Sequence, residues 1–369
     1  MTANDIYSLE WTGNVKIIGR AFVYNDCLWL SYSGTGIEFI CNDGFRALLC
    51  ADMITPGNND AGYARVTVLK DGAPILDERL DNKNMAVEIR DAGVHTYTIL
   101  KLSESAESSV GILELESYGI MTADDGSTVG LLPSEDKRLK VEIIGNSITC
   151  GYGVEGSLGE TFTTATENFM KAWPYLAAKK LNADYSVIAK SGAGIISGYT
   201  DSGERNLDNI ITGYYDLMGC SNFGIDKEVG PKDFEYDFSM EPDVIIILLG
   251  TNDISYCRPV DADGKAKLAK PEEKERRKLF YTEYKKFIKH VREKNPLSKI
   301  VCTLGVLGDG LNDEVNMAVS ELRAEGDQRI FWLPLKPQDP ADGYGTDYHP
   351  SHITQKKLAE TISEYVLDM

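Results

Sequence analysis

The segment VEIIGNSITCGYG, residues 141–153, sets a serine directly behind a short apolar run. The pair Ile143-Ile144 leads into Gly145-Asn146-Ser147, and small, polar and glycine residues follow. Such a pattern either presents a nucleophilic hydroxyl at the end of a buried strand or marks a plain strand-to-helix turn. The first possibility needs a base, a partner that orients it, and donors for an oxyanion. Two further apolar runs end in suitable chemistry: SVIA (186–189) enters Lys190-Ser191-Gly192-Ala193-Gly194, and DVIIILL (243–249) enters Gly250-Thr251-Asn252-Asp253. The backbone N–H groups of Ser147 and Gly192, with the Asn252 side chain, are the oxyanion donors on offer. Loss of one such donor typically costs about 2.7–4 kcal/mol of transition-state stabilisation. Taken singly, Gly192 reads equally as a tight turn and Asn252 as a helix cap. Their placement after successive strands is what gathers them.

Four histidines compete for the role of base. His290 lies in the basic amphipathic run FIKHVREK and reads as a surface residue. His95 falls in a strand-like segment and reads as structural. His349 and His352 stand in GTDYHPSHITQKK, between the last apolar run and the last helix-like run. Pro350 disfavours a helical conformation at His349 and keeps that residue on the loop, whereas His352 falls inside the helix start. His349 is the expected base. Asp347 is the nearest carboxylate in sequence, and reads as its orienting partner, a loop carboxylate or a substrate contact.

One edge can carry these residues only if the strands are parallel. Apolar runs at 141–144, 186–189, 243–249, 300–304 and 330–335 alternate with helix-like segments at 168–181, 271–294, 311–325 and 352–367. Near-continuous apolar strands between helices indicate a layered α/β domain with a parallel sheet, whose ligands sit at the carboxyl ends of the strands. The first 125 residues differ. CLWLSY (27–32), GIEFIC (36–41), RALLC (46–50), ARVTVL (64–69) and HTYTILKL (95–102) are aromatic and β-branched, separated by SGTG, NDG, DGAP and DAG turns. This spacing predicts an all-β sandwich or jelly roll over residues 1–125, a polar linker over 126–138, and the α/β domain over 139–369.

Bulk properties exclude several classes. The net charge of −19 disfavours nucleic acid and anionic membranes as partners. No run reaches the roughly 18 apolar residues that a membrane span needs, and the N-terminal residues carry no basic, apolar leader pattern. Seven scattered cysteines without CxxC spacing read as reduced core residues, which suits a cytoplasmic location, with secretion the alternative if a leader has been trimmed. No His/Cys cluster has zinc-ligand spacing, so no metal or organic cofactor is expected.

With these segments in view, the C-terminal half resembles the SGNH hydrolases, whose four signature letters fall on Ser147, Gly192, Asn252 and His349. The chain is more similar still to the family 2 carbohydrate esterases, in which a jelly roll precedes the SGNH domain. GNSITCGYG-EG at 145–156 and GRAFVYND…LWLSYSGTGIEF near the N-terminus carry that likeness. The sequence departs from the commoner SGNH pattern twice: Asn146 replaces the usual Asp after Gly, and Thr346 occupies the place of an Asp three residues before the histidine. Some family 2 members are understood to use a Ser–His dyad with a backbone carbonyl orienting the imidazole. The resemblance implies a serine esterase that removes O-acetyl groups from acetylated oligosaccharides, mannan or xylan fragments, through an acetyl-enzyme. Tyr152, Tyr199, Tyr256 and Tyr348 lie near the motifs and either stack on sugar rings or pack. The alternatives are a silent carbohydrate-binding protein, which Asn146 alone favours, and a lipase-like enzyme, for which no apolar lid is evident.

Overall fold

Strands dominate the described part of residues 16–133. The computed structural model describes residues 9–53, 60–81, 83–221, 224–226 and 228–369. The strands are β1 (Lys16–Ile18), β2 (Ala21–Tyr24), β3 (Cys27–Leu30), β4 (Gly36–Ala51), β5 (Arg65–Lys70), β6 (Ala73–Arg79), β7 (Asn84–Lys101), β8 (Val110–Ser117), β9 (Met121–Thr122), β10 (Thr128–Val129) and β11 (Leu131–Pro133). Nine of them form one antiparallel sheet in the order β2-β3-β8-β4-β7-β5-β6, with β1 and β11 also paired to β4; β9 and β10 form a separate hairpin.

The sheet folds on itself along the β4–β7 ribbon. Its register shifts between Asn42 and Gly44, where Asp43 and Gly44 have φ of 60° and 83°. Such a bulge bends the strand and strengthens its twist. Ile37 and Phe39 before the bend then share one core with Phe45, Ala47 and Leu49 after it. The result is the expected sandwich of jelly-roll type, with two corrections. GIEFIC and RALLC belong to one strand, because NDG makes the bulge and not a hairpin turn. DAG likewise lies inside β7. The stretch expected as linker also gives β11 to the sheet, where Leu131 pairs with Cys41.

The second half contains β12 (Leu139–Gly145), α1 (Ser147–Cys150), α2 (Trp173–Leu181), β13 (Ala183–Ala189), β14 (Val244–Leu248), α3 (Asp253–Cys257), α4 (Lys270–Lys294), β15 (Lys299–Val306), α5 (Asn312–Ala324), β16 (Ile330–Pro337) and α6 (His352–Leu367). The five strands are parallel in the order β13-β12-β14-β15-β16. Side chains of β14 alternate between two cores. Ile245 and Ile247 pack towards α4 and α5, and Ile246 and Leu248 towards α2 and α6. Burial on both faces explains the unbroken apolar runs. Helix α2 starts later than expected, since Asn168 caps a separate 3₁₀ turn and Pro174 opens the α-helix.

The two halves are joined by buried contacts. Leu100 and Leu102 enter the core of Phe169 and Trp173. Arg20, fully buried, bonds Glu142 at 3.1 Å. All seven cysteines are buried and unbridged. Among the described residues, no helix is long and apolar enough to cross a membrane.

Candidate active site

Strand β12 ends at Gly145, and Ser147 opens the single turn α1. Asn146 caps that turn through its side chain, which accepts the Ile148 N–H at 3.2 Å. Its carbonyl accepts the N–H groups of Thr149 and Cys150. The Asp-to-Asn departure therefore leaves a working N-cap. In this turn the N–H of Ser147 alone has no hydrogen-bond partner among the described residues.

The loop after β13 shows the same economy. Ser191 donates its N–H to Glu104 at 2.7 Å, Ala193 to Lys190, and Gly194 to Asn209. The fully buried Asp253 carboxylate receives the N–H groups of Ile195, Ile196 and Ser197 at 2.7–3.1 Å. Burial pushes this carboxyl up to about 6 against the pull of those donors. Gly192, at φ 71°, has no partner for its N–H among the described residues. Asn252 Nδ2 spends one hydrogen on the Ala193 carbonyl at 2.8 Å, which leaves its second. Among the described residues, the backbone N–H groups of Ser147 and Gly192 and the second Asn252 hydrogen thus have no partner.

His349 comes from a loop docked on the serine segment. Thr346 donates its N–H to the Gly153 carbonyl at 3.1 Å. A Cβ at Gly153, which has φ 58°, would stand 2.5 Å from the Thr346 Cβ, so only glycine lets the loops approach this closely. His349 Nε2 lies 2.8 Å from Ser147 Oγ, within reach for general-base catalysis. Its Nδ1 faces the Thr346 carbonyl at 3.2 Å. The same carbonyl accepts the His349 N–H at 3.0 Å. With Nδ1 as the donor, Nε2 is left to accept the serine proton. Burial holds the imidazole below the usual histidine range, an effect opposed by the backbone contacts and Asp347.

Asp347, read from sequence as a possible orienting partner of His349, has its carboxylate hydrogen-bonded elsewhere in this geometry. Asp347 and Tyr348 both have positive φ, 51° and 62°, as in the tight turns that reverse a chain over two residues. That reversal carries the Asp347 carboxylate to the Tyr152 hydroxyl, which donates at 2.9 Å. Tyr152 in turn stacks on Phe162 at 3.8 Å and lies 4.3 Å from the His349 ring. It packs as a wall of the site. Tyr348 and Tyr199 are exposed, at 60% and 54%, and Tyr199 donates its N–H to the Gly192 carbonyl. Tyr256 is covered by the Arg276 guanidinium, 4.2 Å from its ring centre. Of the other histidines, His352 opens α6, His95 pairs with Asp71 and His290 with Asp216.

Sequence reasoning missed Asp253 and Glu104, and offered a backbone carbonyl for His349 only through the family resemblance, without naming Thr346. Asp253 was visible beside Asn252, whereas nothing in sequence tied Glu104 to a loop 87 residues away. Among the described residues, one cluster is dense enough for a metal ion: Glu104, Cys150 and Glu167, all buried beneath the serine turn.

The fold and the 2.8 Å contact between Ser147 and His349 fit a hydrolase with an α/β catalytic domain. The chain belongs to the GDSL-like lipase/acylhydrolase family, whose sequence profile matches residues 143–357. It is 32% identical over 344 residues to the cellulase/esterase CelE of Acetivibrio thermocellus, an alignment covering 91% of this chain and 37% of that longer protein. A Cellvibrio japonicus acetylxylan esterase / glucomannan deacetylase is 24% identical over 355 residues, covering 95% and 87% of the two chains. The solved structure of a family two carbohydrate esterase from Clostridium thermocellum, in complex with cellohexaose, is also similar. It shares 26% identity and a TM-score of 0.76, covering 96% of this chain and 98% of that one.

Proposed function

We propose that the chain is a carbohydrate O-acetyl esterase acting on acetylated mannan or xylan fragments. Ser147 Oγ attacks the acetyl carbonyl carbon while His349 Nε2 takes its proton. The tetrahedral oxyanion is held by the N–H groups of Ser147 and Gly192 and the free hydrogen of Asn252. Collapse expels the sugar alkoxide, which takes the proton from His349. Water repeats the sequence on the acetyl-serine, releasing acetate and restoring the free hydroxyl. No metal ion or organic cofactor takes part in these steps.

The observation that supports this reading is the selective freedom, among the described residues, of two backbone N–H groups whose neighbouring backbone N–H groups are engaged. Preorganised donors of this kind stabilise charge that develops only in the transition state. The exposed rings of Tyr348 and Tyr199 supply apolar faces on which a neutral sugar can stack. The names of the relatives support the choice of an acetylated polysaccharide. Seven buried thiols fit a reducing compartment, where oligosaccharide fragments are a better substrate than intact polymer.

The test is acetate release from acetylated mannan and xylan oligosaccharides, with NMR of the acetyl groups that remain. The S147A protein should keep its fold and lose several orders of magnitude in kcat; a triad knockout typically leaves only ~10³–10⁴-fold catalysis over water. Near-normal turnover by a folded S147A protein would sink the mechanism.

A further inference from the structure

We infer that Glu104, supplied by the β domain, is a positioning residue for the oxyanion site. It lies in the loop between β7 and β8, 1% exposed. Its Oε2 accepts the Ser191 N–H at 2.7 Å, one residue before Gly192. Asn209 Nδ2 holds the carbonyl of the same residue at 2.9 Å. Both backbone polar groups of Ser191 are therefore fixed, and with them the two successive peptide planes that lead into the Gly192 turn. No other described group takes that N–H, which would otherwise be left unpaired at a cost of about 1–3 kcal/mol.

Glu104 is itself held. The fully buried Glu167 accepts its N–H at 2.8 Å. Lys101, also fully buried, donates to its carbonyl at 3.0 Å and to that of Ser103 at 2.5 Å. The ammonium group supplies a countercharge where two carboxyl groups meet. Glu104 Oε2 also stands 3.8 Å from the Cys150 sulfur, on the turn that carries Ser147. One carboxyl group thus touches both loops that provide backbone donors. The β domain is in this way part of the catalytic geometry.

This inference rests on the esterase reading, and a set of variants separates the two. Glu104→Gln keeps an acceptor for Ser191 and should keep kcat within about threefold. Glu104→Met fills the same space without an acceptor. It should lower kcat by about tenfold or more, since a misplaced oxyanion donor acts on the transition state, while KM stays within about twofold. Affinity for phenylboronic acid, which forms a tetrahedral adduct on serine, should fall in step with kcat. Affinity for a deacetylated xylo-oligosaccharide should not move. If Glu104→Met does not fold, Glu104→Asp, which withdraws the acceptor by one methylene, should show the same split. An active wild type with unimpaired kcat in Glu104→Met, or in Glu104→Asp should that stand in for it, would overturn the inference alone, as would equal losses in Gln and Met. A wild type without activity on any acetyl ester would take down both readings.

Discussion

Thr346 gives its carbonyl to His349 twice, once to the backbone and once to the ring. A carbonyl neither titrates nor carries a full charge, so His349 is oriented without a carboxylate partner on Nδ1. Its pKa accordingly lies below the ordinary histidine value, with burial the main cause. In the proposed mechanism the base works as the neutral imidazole, so activity should be present above that pKa and lost as pH falls through it. We expect kcat/KM to hold its plateau to lower pH than an ordinary histidine would allow and then fall with a single-proton slope, as measured in a pH series. Asp347→Asn should cost less than about tenfold in kcat, far from the ~10⁴-fold loss seen where a carboxylate orients the ring. Because Asp347 raises the His349 pKa, the variant should also move the acid limb to lower pH. A large kcat loss would restore Asp347 as the orienter. Ser147 and His349 were legible in sequence because strand ends and a following proline fix the backbone around them. Asp347 was not, because its spacing from His349 says nothing about the sign of φ at two turn residues. Tyr348 at φ 62° is uncommon for a bulky side chain, and such a state costs on the order of 1–3 kcal/mol.

At the scale of elements, α3 and the loop after β13 act as one unit through Asp253. Asp253→Asn replaces a carboxylate oxygen by an amide nitrogen facing backbone N–H groups. We expect a loss of about 1–3 kcal/mol in stability, as for a buried hydrogen bond to a charged group. The Gly192 N–H should then be less well placed, lowering kcat more than it raises KM; urea melts and steady-state kinetics check both. The parallel sheet was legible because its strands are buried on both faces and read as unbroken apolar runs. The β domain was only half legible. The solvent-facing part of β7 (NMAVEIR) and β8 (VGILELES) mix charges with apolar residues, and a bulge at Asn42–Gly44 looks in sequence like a hairpin turn. Bulge and hairpin use the same residues, and only the partner strand decides between them.

For the whole molecule, the Arg20–Glu142 pair spans the two halves with both side chains buried. Arg20 also stacks on Tyr236 at 3.9 Å and donates to the Leu217 carbonyl at 3.0 Å, while Tyr215 donates to Glu142 at 2.8 Å. Arg20→Ala leaves a buried carboxylate without its countercharge, which should destabilise the chain by about 3–5 kcal/mol. Arg20→Met combined with Glu142→Gln should recover much of that loss, as a double-mutant cycle in urea would measure. The seven buried thiols give this joined architecture a clock. Cys27, Cys41 and Cys50 lie in the β half and Cys150, Cys220, Cys257 and Cys302 in the α/β half. An alkylating reagent reaches a buried sulfur only when its surroundings open. Each labelled peptide, weighed by mass spectrometry, therefore times one neighbourhood of the fold. If the halves open as a single body, Cys41 in the β core and Cys150 behind the nucleophile will be tagged at one rate.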